Sequence, residues 1–460
     1  MFRKSKRMHF IGIGGVGMSG IAEILINLGY EVSGSDLKKS VITEKLRSKG
    51  AKIYIGHSAD NIKDYNVVVT SSAIDLNNPE IIEAKKRKIS IIHRSEMLAE
   101  LVRLKHGIGV AGTHGKTTTS SILSWLLSFG DLNPTAVIGG EVLNFGSNAR
   151  VGEGEYIVFE ADESDGTFLN LLPSIGIVTN IDADHLDHYK YFENIKRAFL
   201  EYINNIPFYG YSVLCLDDYS IKELLPEIER PFYTYGFSLE ADFRASDVEV
   251  ADGYTKFKCF YQNNFLGDFR TSLLGNHNVL NSLGAIAVAF ELGLSVEKIQ
   301  KGLDFFQGVG RRIEKIGEEK EILVVDDYGH HPTEIRETLS ALKKMGRRLL
   351  VIFQPHRYSR TKLLCDEFGQ SFSEADLLFL TEIYPAGEIQ PLGVSASLLK
   401  KAIKKHGKRE VPIIKKGQDI AKEVLAEARR GDLILTLGAG DIYKQGQILI
   451  EEIKKIDIKS

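Results

Sequence analysis

Cysteine is scarce in this sequence, with three in 460 residues, at Cys215, Cys259 and Cys365. They lie far apart and form no CxxC, so neither a zinc knuckle nor a disulfide framework is expected, and a reducing cytoplasm fits. No apolar run reaches the roughly 20 residues needed to span a hydrocarbon core. Low-complexity tracts and fixed-period repeats are also missing. The opening MFRKSKR is basic like the start of a signal peptide, but the Gly-rich segment behind it carries Glu23 and no small-residue cleavage site, so a secretory leader is not expected. An excess of basic charge is lacking too. Lys and Arg number 58 against 61 Asp and Glu, for a net charge of −3. That excludes a general nucleic-acid binder, which needs a concentrated basic face, but leaves room for a local basic pocket around a phosphorylated substrate.

What is present is an ordinary globular composition, 43% hydrophobic and 26% charged. The length exceeds what one hydrophobic core supports, and about three domains are expected. In the first hundred residues, short apolar runs at 8–13, 31–34, 52–55, 67–70 and 89–92 read as strands, and Ser19–Leu28 and Ile42–Lys49 as helices. This βαβ alternation predicts a parallel sheet. A second strand–loop–helix unit starts at Gly107–Ala111, followed by buried-strand candidates at Tyr156–Glu160 and Ile175–Thr179. Shorter alternating segments over 231–275 suggest an antiparallel excursion. The Gly-rich QGVGRR at 307–312 reads as a linker, after which strands are expected at 322–325, 348–353, 377–380 and 433–437. The expected class is α/β, with domains at 1–106, 107–307 and 308–460.

Gly12-Ile13-Gly14-Gly15-Val16-Gly17 fits GxGxxG after a predicted strand, and Asp36 ends the next one. Glycines let the backbone approach a diphosphate, and a helix N-terminus offers it free N–H donors. Alone, this loop favours NAD or a tight turn that binds nothing; the pattern reports a diphosphate more reliably than a nicotinamide.

Gly112-Thr113-His114-Gly115-Lys116-Thr117-Thr118-Thr119 lies between the strand Gly107–Ala111 and a predicted helix Ser120–Ser128. The first glycine of GxxxxGK[ST] is replaced by Val110. Gly-Lys-Thr after an apolar strand nevertheless points to phosphate. Backbone N–H groups form the cradle, Lys116 neutralises β/γ-phosphate charge and the Thr117 hydroxyl ligates Mg²⁺. ATP is the better-supported nucleotide. A dehydrogenase has no use for this second loop, and a simple ATPase has no use for the first.

Glu160-Ala161-Asp162-Glu163-Ser164-Asp165 ends a predicted strand, where Glu160 suits Mg²⁺ and some of the neighbouring acids read as solvated loop residues. The segment 179–188, TNIDADHLDH, is rich in His and Asp; without nearby Cys, oxygen ligands plus one His for Mg²⁺ are the economical reading. At the start of another helix, His277, Asn278 and Asn281 lie within one turn, able to read a base edge or simply to cap the helix. Asp327-Tyr328-Gly329-His330 and Gln354-Pro355-His356-Arg357-Tyr358-Ser359-Arg360 each follow a predicted strand. Arg357 and Arg360 suit carboxylate or phosphate recognition, or a surface ion pair.

Taken together, GIGGVGMSGIAE, SSAI with NPE, RSEMLAEL, GTHGKTTTSS, FEADESD, TNIDADHLDHY, GNHNVLNSLGA, GVGRRIE, DDYGHHPTE, FQPHRYSRT and LGAGDIY resemble the Mur ligase family, in that family's order over residues 12–443. DYGHHPTE with FQPHRYSRT points to its alanine-adding branch. The resemblance implies a cytoplasmic ligase of peptidoglycan precursor synthesis, monomer or homodimer, with no membrane or nucleic-acid partner. It would use ATP and Mg²⁺ to join L-alanine to the lactyl carboxylate of UDP-N-acetylmuramate through an acyl-phosphate. It implies a Rossmann-like UDP-binding domain, a P-loop-type central domain and a Rossmann-like C-terminal domain. The first loop, with Gly12, Gly14, Gly15, Val16, Gly17, Met18, Ser19, Ser35, Asp36, Ser71 and Ser72, would then hold the UDP-substrate rather than NAD. ATP would meet Gly112, Thr113, His114, Gly115, Lys116, Thr117, Thr118, Asn278, Asn281, Arg312 and Asp327. The resemblance makes Lys116, Glu160, His185 and Arg312 catalytic, with Thr117, Glu160 and His185 on the metal. Tyr328, His330, Arg357 and Arg360 would close on alanine and the substrate carboxylate. Some relatives bridge metals with a carbamylated lysine, which neither Lys190 nor Lys196 matches.

Overall fold

A computed structural model describes residues 7–251, 253–407, 411–415 and 419–455, with Asp187 described by its backbone alone. The first sheet holds β1 (Arg7–Ile11), β2 (Glu31–Asp36), β3 (Lys52–Ile55), β4 (Val67–Thr70) and β5 (Ser90–His93) in the order β3-β2-β1-β4-β5. All four pairings are parallel, with Met8 opposite both Val32 and Val67. The order reverses beside β1, so the Gly-rich loop and the end of β4 share the carboxyl edge where such sheets collect ligands.

A second sheet has ten strands: β6 (His106–Ala111), β7 (Thr135–Val142), β8 (Ser147–Arg150), β9 (Tyr156–Glu160), β10 (Ile175–Val178), β11 (Tyr211–Cys215), β12 (Phe232–Gly236), β13 (Phe243–Ala251), β14 (Tyr254–Tyr261) and β15 (Asn264–Thr271). Their order is β15-β14-β13-β12-β11-β10-β6-β9-β7-β8, so β6 lies inside the sheet between β10 and β9, parallel to both. The expected antiparallel excursion begins later than predicted, because β12 and β13 still pair parallel. Only the short links of β13–β14–β15 leave no room for a parallel crossover. Gln262 and Asn263, at φ +47° and +65°, form the two-residue hairpin turn that a right-handed twist favours.

The third sheet comprises β16 (Glu314–Glu319), β17 (Ile322–Asp327), β18 (Leu349–Phe353), β19 (Leu377–Thr381), β20 (Ile413–Ile414) and β21 (Leu433–Leu437), ordered β16-β17-β21-β18-β19-β20 with β16 alone antiparallel. Its strands β17, β18, β19 and β21 read as apolar runs because both faces are covered. Leu323, Val325, Val351 and Leu435 enter one core, while their neighbours Ile322, Val324, Ile352 and Ile434 enter the other.

Cα packing divides the chain into two compact units. One contains residues 1–246, 258–269 and 280–307; the other contains 247–257, 270–279 and 308–460. Helix starts are the main departure from the sequence reading. The first helix runs Val16–Asn27 and the second loop's helix Lys116–Phe129, so each begins earlier than the apolar pattern suggests. Gly15 and Gly115 serve as their N-caps, and the first turn of each is spent on the loop rather than on core contacts. β1 accordingly stops at Ile11, leaving Gly12 and Ile13 in the turn.

Candidate functional site

The loop after β6 is possible only with glycine at two points. Gly112 sits at φ +136°, and a Cβ there would lie 2.0 Å from Thr179 Oγ1. Gly115 sits at φ +83°, where a Cβ would lie 2.4 Å from Asn281 Oδ1. The loop is pinned from β10's end: Thr113 N–H donates to Asn180 O at 3.1 Å, His114 N–H to Asn180 Oδ1 at 2.8 Å, and Thr179 Oγ1 to His114 O at 2.6 Å. His114 Nε2 lies 3.0 Å from Asp182 Oδ2. Lys116 folds back over the loop, donating to Gly112 O (2.5 Å), Thr113 O (3.1 Å) and Glu163 Oε2 (2.7 Å). Burial disfavours its charge, but the carboxylates of Glu163, Asp162 and Glu160 outweigh that and hold the ammonium above its ordinary range. Thr117 is half-buried beside it, whereas the Thr118 side chain is enclosed.

The acidic turn after β9 leaves the Asp162 side chain partly exposed but buries Glu163. Glu163 is 2% exposed. Burial pushes its carboxyl up against the pull of Lys116, while the ammonium 2.7 Å away is raised, the direction of a charged pair. Asp162 pairs with Arg94 Nη2 at 2.9 Å. Burial opposes its charge, but Lys116 and Arg94 prevail and hold it at about 2. Glu160 Oε1 accepts from Gly139 N–H at 2.6 Å, with Ser120 Oγ at 3.5 Å. His185, at φ +55°, places Nε2 3.9 Å from Glu163 Oε1 and 3.7 Å from Asp184 Oδ2. Buried Glu163 Oε1 has no hydrogen-bond partner. An uncommitted carboxylate oxygen among oxygen donors fits a hard divalent cation. Glu163 was missed because nothing in its own segment marks it; its partner Lys116 is 47 positions away. Lys196 is engaged at the surface by Glu193 (2.9 Å) and Glu223 (3.1 Å).

In the first loop, Gly12 and Ile13 N–H both donate to Ser35 O, at 2.8 and 3.0 Å, and Gly14 N–H donates to Asp36 Oδ2 at 2.9 Å. Asp36 thus braces the loop. Gly15 and Val16 are exposed, and Ser71 and Ser72 follow β4 at the same edge. The side chains of Met18, Ser19 and Ser35 are buried. The Ser19 hydroxyl donates to Val16 O at 2.9 Å, and that of Ser35 to Glu80 Oε2 at 2.5 Å. Glu80, fully buried, also accepts from Asn61 Nδ2 at 2.5 Å, with His57 Nδ1 at 3.4 Å and His9 Nε2 at 3.6 Å. Burial opposes its charge, but His9, Ser35 and Asn61 outweigh it and hold the carboxyl at about 2. A cavity of ≈ 180 Å³ opens beside the first loop, lined by Val16, Gly17, Arg94, Ser95, Glu160 and Asp162 among others.

Asn278 and Asn281 behave differently from each other. Asn278 Nδ2 donates to Leu274 O at 2.8 Å, the local-cap alternative, while Asn281 Oδ1 accepts from Thr119 Oγ1 at 3.2 Å beside Gly115. In the second unit, Asp327 is buried at the end of β17. Its carboxylate is spent on Gly329 N–H (2.7 Å), Ile313 N–H (2.8 Å) and Thr338 Oγ1 (3.3 Å), and so ties the linker to β17. Arg311, which the sequence did not single out, is anchored by Asp326 at 3.0 Å and Gly438 O at 2.6 Å. Its guanidinium lies 5.0 Å from the Tyr328 ring centre and 4.4 Å from that of Tyr443. Arg312 packs over Tyr328 at 5.1 Å, with Nη1 3.7 Å from Glu334 Oε1. The structure gathers Tyr328 and His330 (5.3 Å between rings), His330 and His356 (5.7 Å), and His356 stacked on Tyr384 (5.6 Å). Burial, then Arg360 and Arg357, lower His356 to about 4, so both arginines bear on this cluster. His356 and Tyr384 join the site only through folding.

A mostly parallel α/β sheet carrying a Gly-Lys-Thr loop, with a second Gly-rich loop on the neighbouring parallel sheet, defines a phosphate-loop class of enzyme. Three family models match in series: "Mur ligase family, catalytic domain" over 7–106, "Mur ligase middle domain" over 110–289, and "Mur ligase, glutamate ligase domain" over 311–440. The chain belongs to the Mur ligase family. It is 52% identical to a UDP-N-acetylmuramate–L-alanine ligase of Geotalea uraniireducens, covering 99% of both chains. A relative of the same description from Geobacter sulfurreducens is 51% identical, also over 99% of each. Among solved structures, the Thermotoga maritima UDP-N-acetylmuramate-alanine ligase aligns with TM-score 0.82 at 28% identity, over 98% of this chain and 99% of that one. A murein peptide ligase of Psychrobacter arcticus aligns with TM-score 0.73 at 27% identity over the same shares.

Proposed function

We propose that this chain forms the amide bond between L-alanine and the lactyl carboxylate of UDP-N-acetylmuramate, at the expense of ATP. Supporting it are relatives of that description along 99% of the chain. The observation that carries it is the cavity at the first Gly-rich loop, lined by Val16 and Gly17 and by Glu160 and Asp162, two acids whose charge bears on Lys116 of the second loop. A nucleotide sugar held by its diphosphate at the first loop extends its lactyl group through that cavity toward the γ-phosphate of ATP at the second. Arg94, over Gly17 and paired with Asp162, is the cationic side chain on the way.

The carboxylate oxygen attacks the γ-phosphorus and ADP leaves. The alanine amine, once it has lost its ammonium proton, attacks the acyl carbon, and phosphate departs with the oxygen that had been carboxylate. Phosphoryl transfer of this kind depends on positioning and charge neutralisation. Lys116 and the loop N–H groups supply both on the nucleotide side. Mg²⁺, held by Thr117, Glu160 and His185, would neutralise phosphate charge. The reading assigns Arg312 to phosphate, and Tyr328, His330, Arg357 and Arg360 to alanine and the carboxylate. Asn281, set against Gly115, borders the nucleotide.

The test is ADP release by the purified chain given UDP-N-acetylmuramate, ATP and Mg²⁺, with L-alanine or a tripeptide as acceptor. Release with L-alanine supports the reading. Release with the tripeptide alone makes the chain a peptide-adding ligase, and nicotinamide-dependent turnover without either rejects ligation.

A further inference from the structure

An ammonium has three hydrogens, and those of Lys116 are all taken: by Gly112 O, Thr113 O and Glu163 Oε2. The two carbonyls belong to the phosphate loop itself and move with it. Glu163 arrives from the turn after β9 and is the one exchangeable partner. A nucleotide phosphate approaching Lys116 must therefore compete with a carboxylate already in contact at 2.7 Å.

What becomes of Glu163 is set by its surroundings. It is 2% exposed, its Oε1 already lacks a hydrogen-bond partner, and Tyr189 Oη holds its backbone carbonyl at 2.6 Å. Removing Lys116 from such a carboxylate leaves a buried charge without compensation, which is strongly unfavourable. On its other side lies His185 Nε2, 3.9 Å from Oε1. We infer that Glu163 is the resting counter-ion of Lys116, exchanged for nucleotide phosphate and handed to a divalent cation on the His185 side, so that nucleotide and metal bind cooperatively. This rests on the reading of the Lys116 loop as the nucleotide site. Glu163 is a positioning residue: it holds the lysine ready while the site is empty and couples the two ligands as it fills.

The experiment is calorimetric titration of ADP into the full-length wild-type and Glu163→Gln chains, each in excess EDTA and in excess Mg²⁺. Competition predicts that metal-free ADP binds the glutamine variant about five-fold or more tighter than wild type, with a smaller gain on adding Mg²⁺. A merely structural Glu163 predicts the opposite sign, because a loosened loop binds ADP less well. Equal or weaker metal-free binding by the folded variant overturns the inference. Glu163→Asp retains the charge but withdraws it from Lys116, and guards against a glutamine variant that does not fold. It should shift the metal-free Kd in the same direction by a smaller factor, and an unchanged value also overturns the proposal. If ADP binds neither wild type nor variant, the nucleotide reading itself falls and the proposal with it.

Discussion

Ser35 joins Glu80 to the first Gly-rich loop: its hydroxyl donates to Glu80 Oε2 at 2.5 Å, while its carbonyl accepts the N–H groups of Gly12 and Ile13. Glu80 is fully buried, and its carboxyl is held at about 2. A carboxyl depressed on folding contributes stability that is complete above its unfolded value, near 4.5, and is lost as the pH falls from there toward 2. Wild type should lose on the order of 3 kcal/mol through this window, and Glu80→Gln should lack that component. Urea midpoints of both proteins between pH 3 and 7 check it. The variant should also raise the KM for the nucleotide sugar more than it lowers kcat, because only the loop's bracing changes.

Gly112→Ala combines φ +136° with a Cβ 2.0 Å from Thr179 Oγ1. Strain at such a position costs about 1–3 kcal/mol, so the melting temperature should fall. ADP affinity should fall further than stability, since the loop that must relax is the phosphate cradle. Differential scanning calorimetry and ADP titration separate the two effects.

The adjacent arginines of the linker should respond differently. Arg311 compensates Asp326, whose side chain is 1% exposed, and removing one partner of such a pair costs roughly 3–5 kcal/mol. Arg311→Ala should therefore destabilise the chain. Arg312 lies 3.7 Å from Glu334, packs on Tyr328 and bears on buried Asp327, so Arg312→Ala should cost less stability than Arg311→Ala while lowering kcat. Chemical denaturation paired with steady-state kinetics on both variants tests this.

Lys116→Ala removes the only side-chain cation bonded to the phosphate-loop carbonyls among the described residues. Loss of a preorganised electrostatic partner costs about 10²–10³-fold in kcat. Single-turnover rates at saturating ATP measure it, and normal turnover would reject the site assignment.

These contrasts show where the sequence was legible. Local rules were enough for the Gly-rich loops, because a positive-φ turn between an apolar strand and a helix leaves its mark on adjacent residues. The unbroken apolar runs of β17, β18 and β21 likewise announce a sheet covered on both faces. What stayed hidden depends on distant partners. Glu163 read as one more loop acid until folding set it against Lys116. Asp327 read as a ligand-facing carboxylate, yet its oxygens are spent on Ile313, Gly329 and Thr338. Ser35 lies beside the expected site but points into the core toward Glu80. Arg311 and Arg312 are neighbours in one motif, and only the positive φ of Arg311, +62°, turns the first inward to Asp326. Helix starts were read late because capping glycines carry no apolar signal.

The most direct test follows one oxygen atom. UDP-N-acetylmuramate labelled with ¹⁸O in its lactyl carboxylate is turned over with ATP, Mg²⁺ and L-alanine, and the released phosphate is analysed by mass spectrometry or ³¹P NMR. An acyl-phosphate route predicts alanine-dependent product with one ¹⁸O carried into inorganic phosphate and ADP as the only nucleotide product. Label in AMP, or product formed with unlabelled phosphate, would contradict it.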